Sequence, residues 1–302
     1  MAITISLSLA QPAPAQTVIV AKTNGDYSTI QGAIDSISDA ASDKIYVVSV
    51  YPGTYTETVT LKSYVNIIAF DTESTNIIGE VKDNSVACIC ALKINITNVS
   101  PALVLFGGGS TINYEGELTS TGSYGIQSGP SNTIIVKNST ITTEASSRAI
   151  SVGLQNIILR IENSTINGEI NIGANCSNID VMIKNSILLS SYNACFNSSA
   201  LSGTIKLDGV TANNTYNDAS GDSLTLTRPS TQANILLNNV KATCLHASAE
   251  AIGAGSTNTV NISATNCWID RALGEYVTNT IAPSVFASPN GRGIDVDTNL
   301  TY

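Results

Sequence analysis

The chain has 302 residues, of which only 12% are charged, and its formal net charge is −9. This acidic balance excludes the basic patch that nucleic-acid binding requires, and no apolar run is long enough to cross a membrane as a helix. With one histidine and no cysteines at the spacing of a zinc site, the composition indicates neither a metal nor a cofactor.

The first ten residues alternate between apolar and polar side chains, which predicts a strand with one apolar face. Segment 11–16 contains two prolines and is typical of a stiff linker. A secretory signal is the alternative, but a signal carries positive charge before its apolar region, and the first basic residue here is Lys22. We therefore expect residues 1–16 to form an arm that pairs with a sister protomer or another structural subunit. The apolar face of this arm comprises Ile3, Ile5, Leu7 and Leu9.

A short helix is predicted next, near residues 28–38. Ser28-Thr29-Ile30-Gln31 has the pattern of a capping box, and apolar residues at helical spacing follow it. The first coil of a stack would otherwise expose its core and its strand edge, so we expect this helix to cover the N-terminal end. The apolar face consists of Ile30, Ala33, Ile34 and Ile37.

The middle of the chain is a series of near-repeats, each a short apolar run followed by Asn or Gly. The clearest copies are Ile134–Ile141, Leu159–Ile166 and Val181–Leu188. A period of this length, built from β-rich runs without a helical pattern, is typical of one coil of a parallel β-helix. Asn or Gly at one place in each coil predicts a turn with left-handed backbone. The anchors, 22 to 30 residues apart, are Asn138, Asn163, Asn185, Gly209, Asn239 and Asn266.

These patterns predict an all-β fold, with a parallel β-helix over residues 17–270. A sandwich of antiparallel hairpins is the alternative, but the Asn-Gly and Asp-Gly turns that hairpins favour are scarce. The coil rhythm stops after Trp268, and segment 271–302 is rich in turn residues. We expect this segment to be a tail that closes the far end of the stack or contacts a partner.

The N-terminal quarter resembles a known family. Gly25-Asp26-Tyr27-Ser28-Thr29-Ile30-Gln31, and then Pro52-Gly53-Thr54-Tyr55 with Glu57 and Val59, are similar to the start of pectinesterase-like and pectate-lyase-like right-handed β-helix proteins. The resemblance implies the fold, including its right-handed coil. The catalytic segments of the family are a Gln-Asp pair, Asp-x-x-Phe-Gly and Gly-Arg-Pro-Trp, and none is present; Leu226–Ser230 shares only Arg-Pro with the last.

No residue is therefore expected to be catalytic. The related polygalacturonases carry Gly-His-Gly and Arg-Ile-Lys, whereas the single histidine, His246, lies between Leu and Ala. Asp208, Asp218 and Asp222 lie near Arg228 in the sequence and are either solvated loop charges or a general acid–base pair. We favour the solvated loop.

Four cysteines have separations close to one coil, which predicts two disulfides if neighbouring rungs bring the pairs together. Cys176 and Cys195 are 19 residues apart, and Cys244 and Cys267 are 23 apart. Buried thiols are the alternative, since cysteine is often a small core residue. Cys88 and Cys90 are expected to pack inward from one strand face.

Asn-x-Ser/Thr occurs nine times, so glycosylation is expected at some of these asparagines. Asn138 and Asn163 are ladder anchors, where an inward-facing amide would be inaccessible to a glycan. The better acceptors are Asn197, Asn213, Asn299, Asn95 and Asn261.

Two functions remain open. The first is a non-enzymatic surface protein, such as a virion spike, decoration or attachment protein or a cell-surface protein, tethered through residues 1–16. The second is a carbohydrate-active enzyme or glycan-binding protein that acts on extracellular polysaccharide. A groove with clustered carboxylates and exposed aromatic rings would favour the second. Either function places the protein on a virion or cell surface or outside the cell, without a membrane span and with surface glycans as further candidate partners.

Overall fold

The computed structural model describes residues 15–217 except 145, 154, 174, 175, 200 and 201, and beyond them 223–225, 232–245, 252–253, 261–265, 267–269, 282–287 and 294–300. Most of the predicted arm, with Ile3, Ile5, Leu7 and Leu9, lies outside the described residues, as do His246, Asp218, Asp222 and Arg228.

Three sheets run along the molecule, and the chain visits them in a fixed order. Sheet 1 contains β1 (Gln16–Val20), β2 (Tyr46–Val50), β5 (Val65–Ala69), β8 (Ile89–Lys93), β11 (Thr111–Glu115), β14 (Thr133–Lys137), β17 (Ile158–Glu162), β20 (Ile179–Lys184), β23 (Ser202–Asp208), β26 (Gln232–Asn238) and β29 (Asn261–Thr265). Sheet 2 contains β3 (Gly53–Thr56), β6 (Thr75–Ile78), β9 (Asn95–Asn98), β12 (Glu117–Ser120), β15 (Thr140–Thr143), β18 (Thr165–Asn167), β21 (Ile187–Ser190), β24 (Thr211–Asn214), β27 (Lys241–Cys244), β30 (Cys267–Ile269), β31 (Ala282–Ala287) and β32 (Ile294–Leu300). Sheet 3 contains β4 (Val59–Thr60), β7 (Val81–Lys82), β10 (Leu103–Leu105), β13 (Tyr124–Ser128), β16 (Arg148–Val152), β19 (Glu169–Ile172), β22 (Phe196–Ser198), β25 (Leu224–Thr225) and β28 (Ile252–Gly253).

Neighbouring strands belong to successive coils and pair in parallel, which confirms the parallel β-helix. In sheet 1, Ile134 pairs with Leu159, and Leu159 pairs with Val181. These three side chains point inward and are fully buried. One coil alone would leave such side chains in water, so stacking is what creates the core.

The corner between sheets 1 and 2 has the predicted left-handed backbone. Asn138, Asn163 and Asn185 have φ values of 48°, 51° and 47°. Their side chains are exposed, so the expectation that the Asn138 and Asn163 amides face inward is wrong. The residue that points inward is the serine that follows each asparagine. Its hydroxyl accepts a hydrogen bond from the neighbouring coil, as when the Ser139 N–H donates to Ser164 Oγ at 3.2 Å.

The predicted helix, α1, spans Ile30–Ser36 and packs against β1, β2 and β4. Its N-cap is Thr29 rather than Ser28, because Thr29 Oγ1 accepts a hydrogen bond from the Gly32 N–H at 3.2 Å. The apolar face predicted for the helix is buried. The helix occupies the first coil, in which sheets 2 and 3 have no strand among the described residues.

The outer edge of β1 is partly covered by the segment that precedes α1. Asp26 Oδ2 accepts a hydrogen bond from the Ile19 N–H at 2.9 Å, and the Tyr27 N–H donates to the Ile19 carbonyl at 3.1 Å. Gly25 is required here, since a Cβ would lie 2.5 Å from the Ala21 nitrogen. The open strand edge is therefore blocked at its centre.

At the other end of the chain the pairing changes direction. β32 pairs antiparallel with β30 and with β31. The predicted tail thus contains two strands that continue sheet 2.

Candidate functional site

The residues that carry the family resemblance build the first coils. Glu57 holds the start of α1, because its two carboxylate oxygens accept hydrogen bonds from the Ile30 and Gln31 N–H groups at 3.0 and 2.8 Å. Gln31 Oε1 in turn accepts from the Thr60 N–H at 2.6 Å. Tyr55 is fully buried, and its hydroxyl donates to the Tyr51 carbonyl at 2.9 Å. The motif therefore has a structural role in this chain.

The candidate functional site is a polar cluster where the strands of sheet 3 begin. Its centre is Glu169, whose side chain is only 7% exposed. Glu169 Oε2 accepts a hydrogen bond from Arg148 Nε at 3.1 Å. Oε1 accepts from Asn193 Nδ2 and from Asn197 Nδ2, both at 3.0 Å.

Strand register brings these residues together. Tyr124, Arg148 and Glu169 occupy corresponding positions at the starts of β13, β16 and β19. A register shift between Arg148 and Ile150 lies beside the Arg148–Glu169 pair. Asn193 reaches the carboxylate from the next coil, from a left-handed backbone with φ 42°. The sequence did not predict this cluster, because Arg148 and Glu169 follow their Asn anchors at different distances.

The cluster positions an arginine. Both carboxylate oxygens of Glu169 are already hydrogen-bonded by cationic or amide donors, which is how buried charges are stabilised. The Arg148 side chain remains 43% exposed, and among the described residues only its Nε has a hydrogen-bond partner. Tyr192, the residue before Asn193, forms a tilted aromatic pair with Tyr216, with ring centroids 5.4 Å apart.

A second buried carboxylate, Asp83, binds backbone and hydroxyl donors at the corner between sheets 3 and 1. Its oxygens accept hydrogen bonds from the Phe106 N–H at 3.0 Å, the Gly107 N–H at 2.8 Å and the Ser110 hydroxyl at 2.9 Å. Ser110 is connected in turn to buried Asn132, whose Oδ1 accepts from the Ser110 N–H at 2.9 Å. This network joins consecutive coils.

Of the three carboxylates considered from the sequence, only Asp208 lies within the described residues. Asp208 lies opposite Lys184 and accepts a hydrogen bond from Asn238 Nδ2 at 2.7 Å. Asp180 lies at the other end of β20, where it pairs with Arg160. Four residues of extended strand, about 13 Å, therefore separate the positions of Asp180 and Asp208 along the sheet.

The predicted disulfides are wrong. All six cysteines are among the described residues, all are buried, and none forms a disulfide bond. In sheet 2, Trp268 pairs with Lys241, so Cys267 lies opposite Val240 rather than Cys244. A displacement of four residues, about 13 Å along the strand, exceeds the reach of a disulfide. Cys195 lies opposite Glu169, which precedes Cys176 by seven residues. Cys88 and Cys90 pack inward as predicted, with their sulfurs 3.5 Å apart.

Glycosylation stays a prediction, but three candidate asparagines already make hydrogen bonds between coils. Asn95 Nδ2 donates to the Thr72 carbonyl at 2.7 Å. Asn197 Nδ2 donates to Glu169, and Asn213 Oδ1 accepts from the Thr243 hydroxyl at 2.8 Å. The side chains of Asn261 and Asn299 lie outside the described part of the structure.

Within the described residues, no group of three or more His, Cys, Asp or Glu side chains is arranged to hold a metal ion. Among the described residues, no helix is both long enough and apolar enough to span a membrane.

No protein-family model matches the chain, and no curated protein is similar to it. Among solved structures, the chain is similar to a variant of pectin methylesterase that was crystallised in complex with a hexasaccharide. The two chains are 12% identical over 76% of this chain and 79% of the other, with a TM-score of 0.40. Values this low transfer neither a residue nor an activity. The parallel strand pairing of the chain itself confirms, at the level of fold, the resemblance to pectinesterase-like β-helix proteins.

Proposed function

We propose that the protein is a non-enzymatic surface protein whose β-helix serves as a rigid exterior scaffold. The observation that supports this proposal is the state of Glu169, the buried carboxylate of the candidate site. A carboxylate whose two oxygens accept hydrogen bonds from Arg148, Asn193 and Asn197 is a positioning group, because three donors hold it in place and the Arg148 guanidinium balances its charge. General acid–base or nucleophilic catalysis needs an oxygen that is free to react.

The proposed location is the exterior of a virion, as a spike, decoration or attachment protein, or the surface of a cell. The low share of charged residues and the abundance of hydroxyl and amide side chains support an exterior setting. In this proposal, α1 closes the N-terminal end of the stack, and residues 1–16 attach the scaffold to a sister protomer or another structural subunit.

An activity assay tests the non-enzymatic assignment. Purified full-length protein is incubated with methylated and with free polygalacturonate, and ester hydrolysis, chain cleavage and unsaturated products are measured. We expect no turnover above a heat-denatured control. Turnover that persists in a Glu144→Gln control but disappears in Glu169→Gln or Asp208→Ala would overturn the assignment.

A further inference from the structure

A groove of about 430 Å³ lies at the corner between sheets 1 and 2, away from the Arg148–Glu169 cluster. It exists because the connections at this corner differ in length. Residues 70–74 connect β5 to β6, whereas Ile94 alone connects β8 to β9, and Gly116 alone connects β11 to β12. The longer connection forms one wall of the groove, and the short ones leave a low floor. The lining residues are Thr72, Glu73, Asn95, Gly116, Glu117, Asn138 and Thr140.

The wall and floor are joined by hydrogen bonds, so the groove is preformed. Asn95 Nδ2 donates to the Thr72 carbonyl at 2.7 Å, and Asn95 Oδ1 accepts from the Glu117 N–H at 2.8 Å. From the coil of β5 to that of β14, the groove crosses three coil steps, about 14 Å along the axis. A preformed groove of this length fits a short linear ligand.

The groove presents both donors and acceptors that are not used within the described part of the chain. The carboxylates of Glu73 and Glu117 form no ion pair with a described lysine or arginine. The hydroxyls of Thr72 and Thr140 make no hydrogen bond to a described group, and the Asn138 amide nitrogen donates to none. Ligand hydroxyls, which donate and accept at once, match this mixture. A phosphate or an acidic sugar would be repelled by the two unpaired carboxylates and by the net charge of −9.

An exposed aromatic pair lies at the same corner. The rings of Tyr51 and Phe70 are stacked, with centroids 4.9 Å apart and planes at 15°. Tyr51 is 37% exposed and Phe70 is 69% exposed, and Phe70 leads directly into the wall of the groove. An exposed ring beside hydroxyl-binding groups suits the apolar C–H face of a pyranose.

We propose that this corner groove binds a neutral oligosaccharide. Phe70 stacks on one sugar ring, Glu73 and Glu117 accept hydrogen bonds from sugar hydroxyls, and Asn138 donates to a ring substituent. No covalent step is involved. A groove with two carboxylates and an exposed aromatic pair is the feature expected of a glycan-binding protein, and glycan binding without turnover is compatible with the proposed surface role. The proposal depends neither on the attachment role of residues 1–16 nor on the absence of turnover at Glu169.

Calorimetric titration of the full-length protein tests the proposal. The probes are hexasaccharides of glucose, mannose, galactose and N-acetylglucosamine, with hexagalacturonate and hexalysine as charged comparisons. We expect at least one neutral probe to bind, and Phe70→Ala to weaken its affinity about tenfold, as loss of an aromatic hot-spot contact does. The double variant Glu73→Gln/Glu117→Gln should weaken binding by a similar factor.

Two matched variants remove the same groups elsewhere. Phe106→Ala removes an exposed phenylalanine at another corner, and Glu144→Gln neutralises an exposed glutamate outside the groove. Both should bind like the unchanged protein. The proposal is overturned if no neutral probe binds at millimolar concentration, if Phe70→Ala binds as tightly as Phe106→Ala, or if hexagalacturonate or hexalysine binds best.

Discussion

At each Asn–Ser corner, the asparagine provides the left-handed backbone of the turn and the serine provides its inward hydrogen bonds. Asn163 takes the left-handed backbone, which most L-residues avoid. Ser164 points inward, where its hydroxyl donates to the Glu162 carbonyl at 2.8 Å and accepts from the Ser139 N–H at 3.2 Å. The recurrence of asparagine predicted the backbone conformation. The buried serine could not be predicted, because a small polar residue next to a turn indicates solvent as often as an inter-coil hydrogen bond.

Substitution at Asn163 tests the corner. Glycine reaches positive φ freely, so Asn163→Gly should change the free energy of unfolding by less than about 0.5 kcal/mol. Asn163→Ala should lower it by about 1 kcal/mol, because alanine lacks the local side-chain hydrogen bonding that lets asparagine adopt this region. Urea unfolding measures both. Asn113→Ala, on the outer face of β11, is the control and should have little effect. Equal losses for glycine and alanine at 163 would mean that the amide side chain, rather than the backbone, is what matters.

The buried thiol of Cys195 predicts a pH dependence. Burial raises the pKa of Cys195 from 9.0 to about 12, against smaller lowering contributions from hydrogen bonds such as that of Ser223. Below pH 9 the thiol is protonated in both the folded and the unfolded chain, so it does not affect how the free energy of unfolding varies with pH. Between pH 9 and 12 the unfolded chain releases the proton and the folded chain does not, so this contribution to stability is lost as pH rises. This contribution lowers the free energy of unfolding by up to about 1.4 kcal/mol per pH unit.

Unfolding free energies measured from pH 8 to 11 should therefore fall less steeply for Cys195→Ala than for the unchanged protein. Val210→Ala, a truncation of another buried residue, should lower stability by the same amount at every pH. Parallel profiles for all three proteins would show that Cys195 ionises as readily in the folded chain as in the unfolded one.

Among the elements, the strands of sheet 1 carry a row of alternating charge at their last outward position. The row runs through Lys93, Glu115, Lys137, Glu162, Lys184 and Asp208 in six successive coils. Lys93 lies 2.9 Å from Glu115, and Lys137 lies 3.4 Å from Glu162. Each exposed pair contributes little alone, but a shift by one coil would place like charges together. The sequence contains this signal, since four of the six residues immediately precede an anchor.

Sheet 3, in contrast, could not be predicted from the sequence. Its strands include the two-residue β4 and β7, and the segments that lead into it vary in length. Helix α1 was predicted from its apolar spacing, but its N-terminal partner was not. That partner, Glu57, comes from the following coil and is distant in sequence. A seven-residue helix is too short to be stable alone, so contacts of this kind must hold it in place.

Glu57 is therefore a test of how α1 is held. Replacing it with alanine removes two charge-assisted hydrogen bonds to helix N–H groups and should lower the free energy of unfolding by about 2 kcal/mol. Glu57→Gln retains one acceptor and should cost about half as much. Hydrogen exchange at the Ile30 and Gln31 amides should accelerate in both variants, whereas Glu144→Gln should leave it unchanged. Unchanged exchange in Glu57→Ala would show that packing alone fixes the helix.

For the whole molecule, the repeat predicts the stack but not its sites. Apolar runs at a regular period dictate parallel pairing, because no coil can bury its inner face alone. The sites depend on the segments between the runs. Arg148 follows its anchor by ten residues and Glu169 follows its own by six, yet register places them side by side. The groove with Glu73 and Phe70 arises from a single long connection. Such differences in length carry no periodic signal, so the sites appear only in three dimensions.

Residues 1–10 are expected to pair with another chain rather than with their own stack. Their strict alternation offers an apolar face and a row of backbone hydrogen-bonding groups, which favour strand addition. At the near end of their own stack, Ile30 and Ala33 are already fully buried, and Asp26 with Tyr27 covers the edge of β1 at Ile19. The prolines of the linker lack the N–H groups that a sheet would use. We therefore expect the arm to pair with another chain.

Deletion of residues 1–10 should leave a folded β-helix whose melting temperature changes by less than about 3 °C, since the core residues keep their contacts. Assembly should be lost, as measured by light scattering and size-exclusion chromatography of both forms at matched concentration. Ile5→Asp in the full-length chain should have the same effect on assembly, because a charge on the apolar face opposes burial, whereas Ser6→Asp on the polar face should not. If the truncated chain unfolds instead, the first strand belongs to its own core, and the proposed attachment through residues 1–16 is wrong.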